Sequence, residues 1–366
     1  MGLILAQTVR TIASFLLLYG VLIAGSFLIA PKDRATDILD TSLAPNTVYA
    51  TATKYLFFNR GTLSPPRPRV LILGSSDADL GMRPEQMQGN IPCAQVSNLA
   101  IGNSNATEIR QTVDLVHFVQ RPEARLGNTF VFGVWYGVFG DSKDRWPASS
   151  RKNAETDIDL ELYRYGFYRH TPEGPHSLLP PSWLPMEDAL IRPFIVAEAV
   201  ARQLTGKLRG EFFIRPPNRT EAEREAAHFS ADERRAATAY WYAQLGRKDD
   251  ISSDEFSEFE NTIASLLDAH ERVVVVDLPI PQWHQEAMAY DAKYHQRLPD
   301  LLKKFGGRQG FAFFNLSDLN ADDDYSDEVH PKPHLAKIWA ERIGKTVNSV
   351  ACHSSEAASR QQPEED

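Results

Sequence analysis

The sequence of 366 residues contains only two cysteines, Cys93 and Cys352, and they lie far apart in the chain. Zinc sites and disulfide frameworks usually show several cysteines at characteristic spacings, so we expect neither here. The sequence also lacks the glycine-rich motifs that bind dinucleotides or nucleotide phosphates, and it contains no internal repeat. We therefore predict a protein without a bound cofactor.

The sequence has no concentration of basic residues, and its net charge is −9. Proteins that bind nucleic acids usually carry a basic patch, so we do not expect a nucleic-acid partner. Part of the acidity lies in the run Asp322-Asp323-Asp324. A calcium loop would add a glycine and further oxygen ligands at set spacings. We interpret this run as a solvated turn and predict no metal site.

The N-terminal region contains one long apolar run, residues 11–30, without a charged residue. Twenty apolar residues are enough to cross a bilayer as a helix. A cleaved signal peptide is the alternative, but the run is longer than a usual signal-peptide core, and Pro31 follows the most obvious cleavage point. We predict an uncleaved transmembrane signal anchor over residues 1–31. The flanking charges do not fix its orientation.

The segment after the anchor, residues 32–68, is interpreted as a linker because it ends in the proline-rich stretch Ser-Pro-Pro-Arg-Pro. A catalytic domain is predicted over residues 69–350. The polar residues 351–366 are predicted to be a disordered tail.

Five short apolar segments alternate with helical patterns in the predicted domain. They begin near residues 70, 93, 129, 272 and 311, and the fourth contains four consecutive valines. Repeated β-α units predict an α/β fold with a parallel sheet of about five strands and helices on both faces. Residues 142–257 do not continue this alternation, and we predict that they form a mostly helical insertion.

Two polar turns follow the first and the last of these strands. The first is Gly74-Ser75-Ser76, where glycine permits a sharp reversal and a serine hydroxyl could act as a nucleophile. The second contains Asp327 and His330, a spacing that allows a carboxylate to orient an imidazole general base. Because the carboxyl ends of parallel strands share one edge, we expect both turns to border one crevice.

These residues resemble the conserved blocks of the SGNH/GDSL hydrolase superfamily. Gly74-Ser75-Ser76 is similar to its Gly-Asp-Ser nucleophile motif, with Ser75 in place of the usual aspartate, and residues 327–330 match its Asp-x-x-His motif. The resemblance extends over residues 70–343 without the insertion. It implies a flavodoxin-like three-layer sandwich and a triad of Ser76, Asp327 and His330.

The resemblance also implies an oxyanion hole beside Ser76. The family's second block is similar to residues 98–103, so the backbone N–H groups of Ser76 and Gly102 are the expected donors. The third block, Gly-x-Asn-Asp, is absent, and Gly-Val-Trp-Tyr stands in its place. A third donor is therefore left open between Asn103, Asn105 and Tyr136. His284, which follows the fourth strand, is expected at the surface.

A narrower likeness is to membrane-anchored SGNH proteins that work with membrane-bound O-acyltransferases, such as the D-alanyl transfer protein of teichoic acid modification and alginate O-acetyltransferase components. It rests on the Gly-Ser-Ser sequence, the anchor, the insertion and a Pro-x-x-x-Trp segment that precedes the Asp-x-x-His motif. The likeness implies a periplasmic O-acyltransferase, anchored by a single pass in the inner membrane, that moves an acyl group from a donor to a polysaccharide. An SGNH carbohydrate esterase and a non-catalytic scaffold for a membrane-bound O-acyltransferase are the alternatives.

Overall fold

The structure is a computed structural model, and it describes residues 2–29, 38–49, 51–140, 168–171, 174–177, 179–212, 220–245 and 250–352. Its strands are β1 (Arg69–Gly74), β2 (Gln95–Asn98), β3 (Asn128–Val134), β4 (Tyr168–Thr171), β5 (Gly174–Ser177), β6 (Arg272–Asp277) and β7 (Phe311–Asn315). Residues 353–366 of the predicted tail lie outside the described residues.

The helices cover most of the remaining described chain. They are α1 (Gly2–Ile29), α2 (Ala52–Asn59), α3 (Ser76–Gly81), α4 (Pro84–Met87), α5 (Ala106–Val119), α6 (Pro122–Arg125), α7 (Leu184–Phe212), α8 (Glu221–Glu225), α9 (Ala231–Gln244), α10 (Ser253–Asp268), α11 (Gln282–Ala287), α12 (Ala289–Phe305) and α13 (Pro333–Ala351).

The main sheet has five parallel strands in the order β2-β1-β3-β6-β7, which confirms the predicted α/β class and strand number. Every residue of β1 and β3 is buried, as expected for strands covered on both faces. The chain extends the sheet in opposite directions from β1, so a topological switch point lies between β1 and β3. Ligands bind at such points, beyond the carboxyl ends of the strands.

Two hydrophobic cores cover the two faces of this sheet. On one face α5 and α10 contribute Ile109, Val113 and Phe259. On the other face α13 contributes Trp339 and Ile343, which pack with methionines near α3 and α4. The helical spacing of these apolar residues explains why each helix has one buried face. The resulting three-layer arrangement leaves the carboxyl edge of the sheet to loops.

The prediction of a linker is wrong for residues 38–49 and 51–63, which fold onto the domain. The side chains of Leu39, Leu56, Phe57 and Leu63 are buried in the core. Asp40 also pairs as a single parallel bridge with Asn98 at the end of β2. The proline-rich stretch was a poor guide to where the folded domain begins. The apolar sequence Tyr-Leu-Phe-Phe before it buries enough surface to join the core.

The described part of the insertion contains α7, α8, α9, the first residues of α10, a short 3-10 helix and one hairpin. The predicted helix over residues 221–245 is two helices, α8 and α9, rather than one. Each begins with a capping box, in which Thr220 pairs with Glu223 and Ser230 with Glu233. These repeated Ser/Thr-x-x-Glu signals were visible in the sequence. The antiparallel pair β4–β5 was not predicted.

The N-terminal helix α1 is long and apolar enough to cross a membrane, and only 6% of its most apolar stretch is buried. Its second half contacts α7. There the hydroxyl group of Tyr19 donates to the backbone carbonyl of Leu190, and the guanidinium of Arg192 lies 4.5 Å from the ring centre of Phe27.

The expectation of no disulfide is wrong, because Cys93 and Cys352 form one, with their Cα atoms 5.6 Å apart. The bond joins the chain just before β2 to the end of α13, across 259 residues of sequence. Distance along the chain was a poor guide, because the fold returns its last helix to the sheet beside β2. The same bond fixes residues 351 and 352, which the predicted tail included.

We predict that replacing both cysteines by serine lowers the free energy of unfolding by about 2–4 kcal/mol, since the bond restricts a long loop of the unfolded chain. Urea unfolding of the full chain in detergent, with and without reductant, measures this. Reductant should destabilise the wild type by a similar amount and leave the double variant unchanged. Equal stability of the oxidised wild type and the variant would contradict the prediction.

Candidate functional site

The turn after β1 is shaped by Gly74, whose φ angle of 153° is one that other residues rarely adopt. A side chain here would place its Cβ 2.5 Å from the carbonyl oxygen of Gly133 and 2.6 Å from Cβ of Ala78. Glycine is therefore required both by conformation and by space. The turn leads directly into α3, with Ser75 preceding the helix and Ser76 as its first residue.

The two serines of the turn have different surroundings. Ser75 is 2% exposed, accepts a hydrogen bond from Nε1 of Trp135 at 3.0 Å and donates one to Asp77 at 2.8 Å. Ser76 is half-buried, and its hydroxyl group makes no hydrogen bond within the described part of the chain. The Ser75 hydroxyl is thus buried and hydrogen-bonded on both sides, whereas the Ser76 hydroxyl is available at the carboxyl edge of the sheet.

The loop after β7 holds Asp327 and His330 as a pair. One carboxylate oxygen of Asp327 lies 2.9 Å from Nδ1 of His330, and the other accepts hydrogen bonds from the backbone N–H groups of Val329 and His330. Tyr325 fixes the start of the loop by donating its hydroxyl to two backbone carbonyls. Because Nδ1 carries the proton toward Asp327, Nε2 of a neutral His330 is the free base.

The electrostatics of the pair follow from its burial and its hydrogen bond. Burial alone would raise the pKa of Asp327, but the charge and hydrogen bond of His330 outweigh it and lower this pKa to about 2. Burial alone would lower the pKa of His330, but Asp327, with smaller contributions from Asp77 and Glu328, raises it to about 9. The resting pair is therefore a carboxylate and an imidazolium at neutral pH.

The fold brings the turn with Ser76 and the loop with His330 to the carboxyl edge of the same parallel sheet. A Cβ placed on Gly81, at the end of α3, would lie 3.2 Å from Pro331, the residue after His330. Burial raises the pKa of Asp77, the neighbour of Ser76, to about 6, and the charge of His330 opposes that rise. Nε2 of His330 is buried and has no hydrogen-bond partner in the described residues. No hydrogen bond joins it to Ser76 in these residues.

The candidate oxyanion residues divide into two groups. A Cβ placed on Gly102 would lie 3.8 Å from Cβ of Ser76, so this loop passes directly beside the serine. Asn103 follows it, exposed and with a φ angle of 66°. The side chain of Asn105 is instead fully buried and caps α5 by accepting from the backbone N–H of Glu108. Gly102 is thus close to Ser76, with Asn103 next to it in the chain, and the Asn105 side chain caps the helix.

Tyr136 is also engaged elsewhere, in a buried chain of hydrogen bonds. Its hydroxyl lies 2.7 Å from Nε2 of His284, whose Nδ1 lies 2.6 Å from the backbone carbonyl of Glu328. A carbonyl only accepts, so Nδ1 of His284 carries the proton and Nε2 accepts from Tyr136. The Tyr136 hydroxyl proton is therefore directed to His284 and away from an oxyanion at Ser76.

The expectation that His284 lies at the surface is wrong, since its side chain is fully buried. Burial lowers its pKa to about 4, so it is neutral at physiological pH. It holds the backbone of the loop that carries Asp327 and His330, because its Nδ1 donates to the carbonyl of Glu328 between them. Its polar neighbours Gln282, Gln285 and Glu286 contained no sign of this burial in the sequence.

The insertion reaches this edge of the sheet through α8. Glu225 lies 2.5 Å from the side chain of His334, in the first turn of α13 and four residues after His330, and also accepts from its backbone N–H. Arg224 is 9% exposed. Burial and the nearby Arg83 lower its pKa, and the carboxylates of Glu221, Asp327 and Asp79 partly compensate. The insertion thus contributes a buried cation near the Asp327–His330 pair.

No family model matches the chain, and no curated protein is significantly similar to it in sequence.

We predict that Ser75→Ala lowers the free energy of unfolding by about 1–3 kcal/mol, because it leaves the buried Trp135 Nε1 and Asp77 groups without their shared partner. Ser76→Ala should leave stability nearly unchanged. Chemical unfolding of the two full-length variants measures both values. A loss for Ser76→Ala as large as that for Ser75→Ala would contradict the different roles assigned to the two hydroxyls.

We predict that the imidazole of His330 titrates near pH 9 and that Asp327→Asn moves this titration to lower pH. Since the pKa of His330 is raised in the folded protein, its stabilising contribution is full below the unfolded-state pKa and disappears as the pH rises through about 9. NMR of histidine labelled with ¹⁵N, assigned with His330→Gln, measures the titration. An unshifted pKa in the wild type would contradict the geometry.

Proposed function

We propose that the protein is a membrane-anchored serine O-acyltransferase of SGNH type. The observation that carries the proposal is the unused hydroxyl of Ser76 at the switch point of the sheet, on the same edge as the Asp327–His330 pair. A carboxylate, an imidazole and a serine at this edge supply an orienting group, a base and a nucleophile. The sequence resemblance to SGNH proteins supports the same assignment.

In the proposed reaction, the Ser76 hydroxyl oxygen attacks the carbonyl carbon of an ester donor while its proton passes to Nε2 of His330. The backbone N–H groups of Ser76 and Gly102 face the oxyanion that forms. The donor C–O bond then breaks, and His330 returns the proton to the leaving alcohol. A hydroxyl group of the acceptor repeats these steps in reverse and receives the acyl group from Ser76.

The raised pKa of His330 has a consequence for this reaction. Only the neutral imidazole accepts the serine proton, so the rate of acyl-serine formation should rise with pH toward about 9. Asp327 stabilises the imidazolium that forms in each half-reaction. His284 and Tyr136 keep the loop in place without titrating near neutral pH.

The proposed location is outside the cytoplasm, at the inner membrane. The long apolar helix α1 supports an anchor, and a signal peptide that is cleaved would give a soluble periplasmic form. The Cys93–Cys352 disulfide supports an oxidising compartment, because structural disulfides are rare in the cytosol. Polysaccharide acceptors and a membrane-bound O-acyltransferase that supplies the acyl group fit that location.

Transfer is favoured over hydrolysis by the position of the insertion. Helix α8 contacts the segment just after His330 and brings Arg224 toward the Asp327 carboxylate. A cover at the sheet edge can exclude water and hold an acceptor hydroxyl instead. A carbohydrate esterase would use the same three residues, whereas a non-catalytic scaffold would not use Ser76.

We predict that the full chain in lipid nanodiscs transfers acetyl groups from p-nitrophenyl acetate to an oligosaccharide, and that turnover of the ester without acceptor is slow. Ser76→Ala should abolish transfer, and His330→Ala should reduce it by on the order of a thousandfold. Mass spectrometry of the acceptor, together with release of free acetate, measures the partition. Ser265→Ala, at an exposed serine of α10, is the matched control.

The outcomes separate the three functions. Acylated oligosaccharide that depends on Ser76 supports the transferase. Rapid acetate release that depends on Ser76, without acylated acceptor, would favour the esterase. No reaction with any acceptor or with a fluorophosphonate probe would favour the scaffold, and activity unaffected by Ser76→Ala would contradict the assignment of Ser76 as the nucleophile.

A further inference from the structure

Helix α7 has an apolar face that points away from the domain. We define the α7 stripe as the partly or fully exposed apolar residues on this face, which are Met186, Leu190, Pro193, Phe194, Ala197, Val200, Ala201 and Leu204. Their spacing of three and four residues places them along one side of a helix. Phe194 and Leu204 are 58% and 59% exposed. Such a continuous exposed apolar surface usually marks an interaction site.

The other side of α7 is firmly attached to the domain. Ile191 and Ile195 belong to the hydrophobic core. Glu187 forms a buried ion pair with Arg60 at 3.0 Å, and the partly exposed Glu198 pairs with the buried Lys54 at 2.9 Å. Both cationic partners come from the folded segment before β1. The orientation of α7 is therefore fixed, and the stripe cannot turn inward without breaking these contacts.

The stripe continues the surface that receives the apolar helix α1. The Tyr19 hydroxyl bonds to the Leu190 carbonyl, and the rings of Tyr19 and Phe194 lie 6.3 Å apart. These contacts involve the first half of the stripe, and residues from Ala197 to Leu204 extend beyond them. The stripe therefore begins where α7 contacts α1, the helix that is long and apolar enough to cross a membrane.

We propose that α7 is an interfacial helix whose stripe inserts into the leaflet next to α1, so that the lipid bilayer itself is the partner of this surface. Amphipathic helices of this kind bury their apolar face about 5–10 Å into the boundary between headgroups and acyl chains. The stripe contains no charged residue, while the acidic residues Glu187 and Glu198 face the protein. The domain is then held against the membrane at two places rather than by a flexible tether.

The proposal is tested with a fluorophore that reports on lipid contact. The two native cysteines are joined in a disulfide, so an introduced cysteine is the single labelling site. Val200→Cys in the full chain, labelled with a nitrobenzoxadiazole dye and placed in nanodiscs, is compared with Ile338→Cys. The two positions are matched in exposure, at 41% and 40%, and Ile338 lies on α13 at the other face of the sheet.

We expect a blue-shifted emission and loss of most of the signal with nitroxide-labelled lipids at position 200, and neither effect at position 338. Equal, weak quenching at both positions would overturn the proposal. Disulfide or chemical cross-linking between position 200 of two chains, without lipid quenching, would assign the stripe to a second copy and would also overturn it. Leu204→Cys repeats the test in case the Val200 variant does not fold, and catalysis is not needed for the readout.

Discussion

The architecture of the site depends on the close approach of β1 and β3 at their carboxyl ends. Gly74 and Gly133 are register partners, and the Cβ of any other residue at position 74 would overlap the Gly133 carbonyl. This contact turns the chain into α3 and determines that Ser75 faces inward while Ser76 remains at the edge. Trp135, which donates a hydrogen bond to Ser75, directly follows β3. The same two strands therefore both shape the turn and fix its position.

Buried polar groups then connect the exits of the remaining strands. Tyr136 after β3 bonds to His284 after β6, and His284 bonds to the backbone between Asp327 and His330 after β7. Each group has its partner, so burial stabilises one arrangement of the loops rather than several. The neutral His284 and the charged His330 show how two histidines at one edge acquire opposite pKa shifts. Burial dominates for His284, whereas the Asp327 carboxylate dominates for His330.

The sequence allowed prediction of the sheet, because runs such as the four valines of β6 are apolar over a short length and alternate with amphipathic helices. It also indicated the Asp327–His330 pair, whose geometry is local and spans a single turn. It did not indicate the disulfide, the buried state of His284 or the packing of residues 38–49 and 51–63. Those features depend on which distant segments meet, and spacing along the chain contains little information about that. Asn105 illustrates a local signal that was missed, since Glu108 three residues later is the mark of a helix cap.

The central claim is that Ser76, Asp327 and His330 act as one site. The most direct measurement is a crystal structure of the full chain after reaction with a fluorophosphonate. We expect a phosphorus atom bonded to the Ser76 hydroxyl oxygen, a phosphonyl oxygen facing the backbone N–H groups of Ser76 and Gly102, and Nε2 of His330 within hydrogen-bond distance of the adduct. An adduct on another residue, or a His330 that points away from a modified Ser76, would contradict the account.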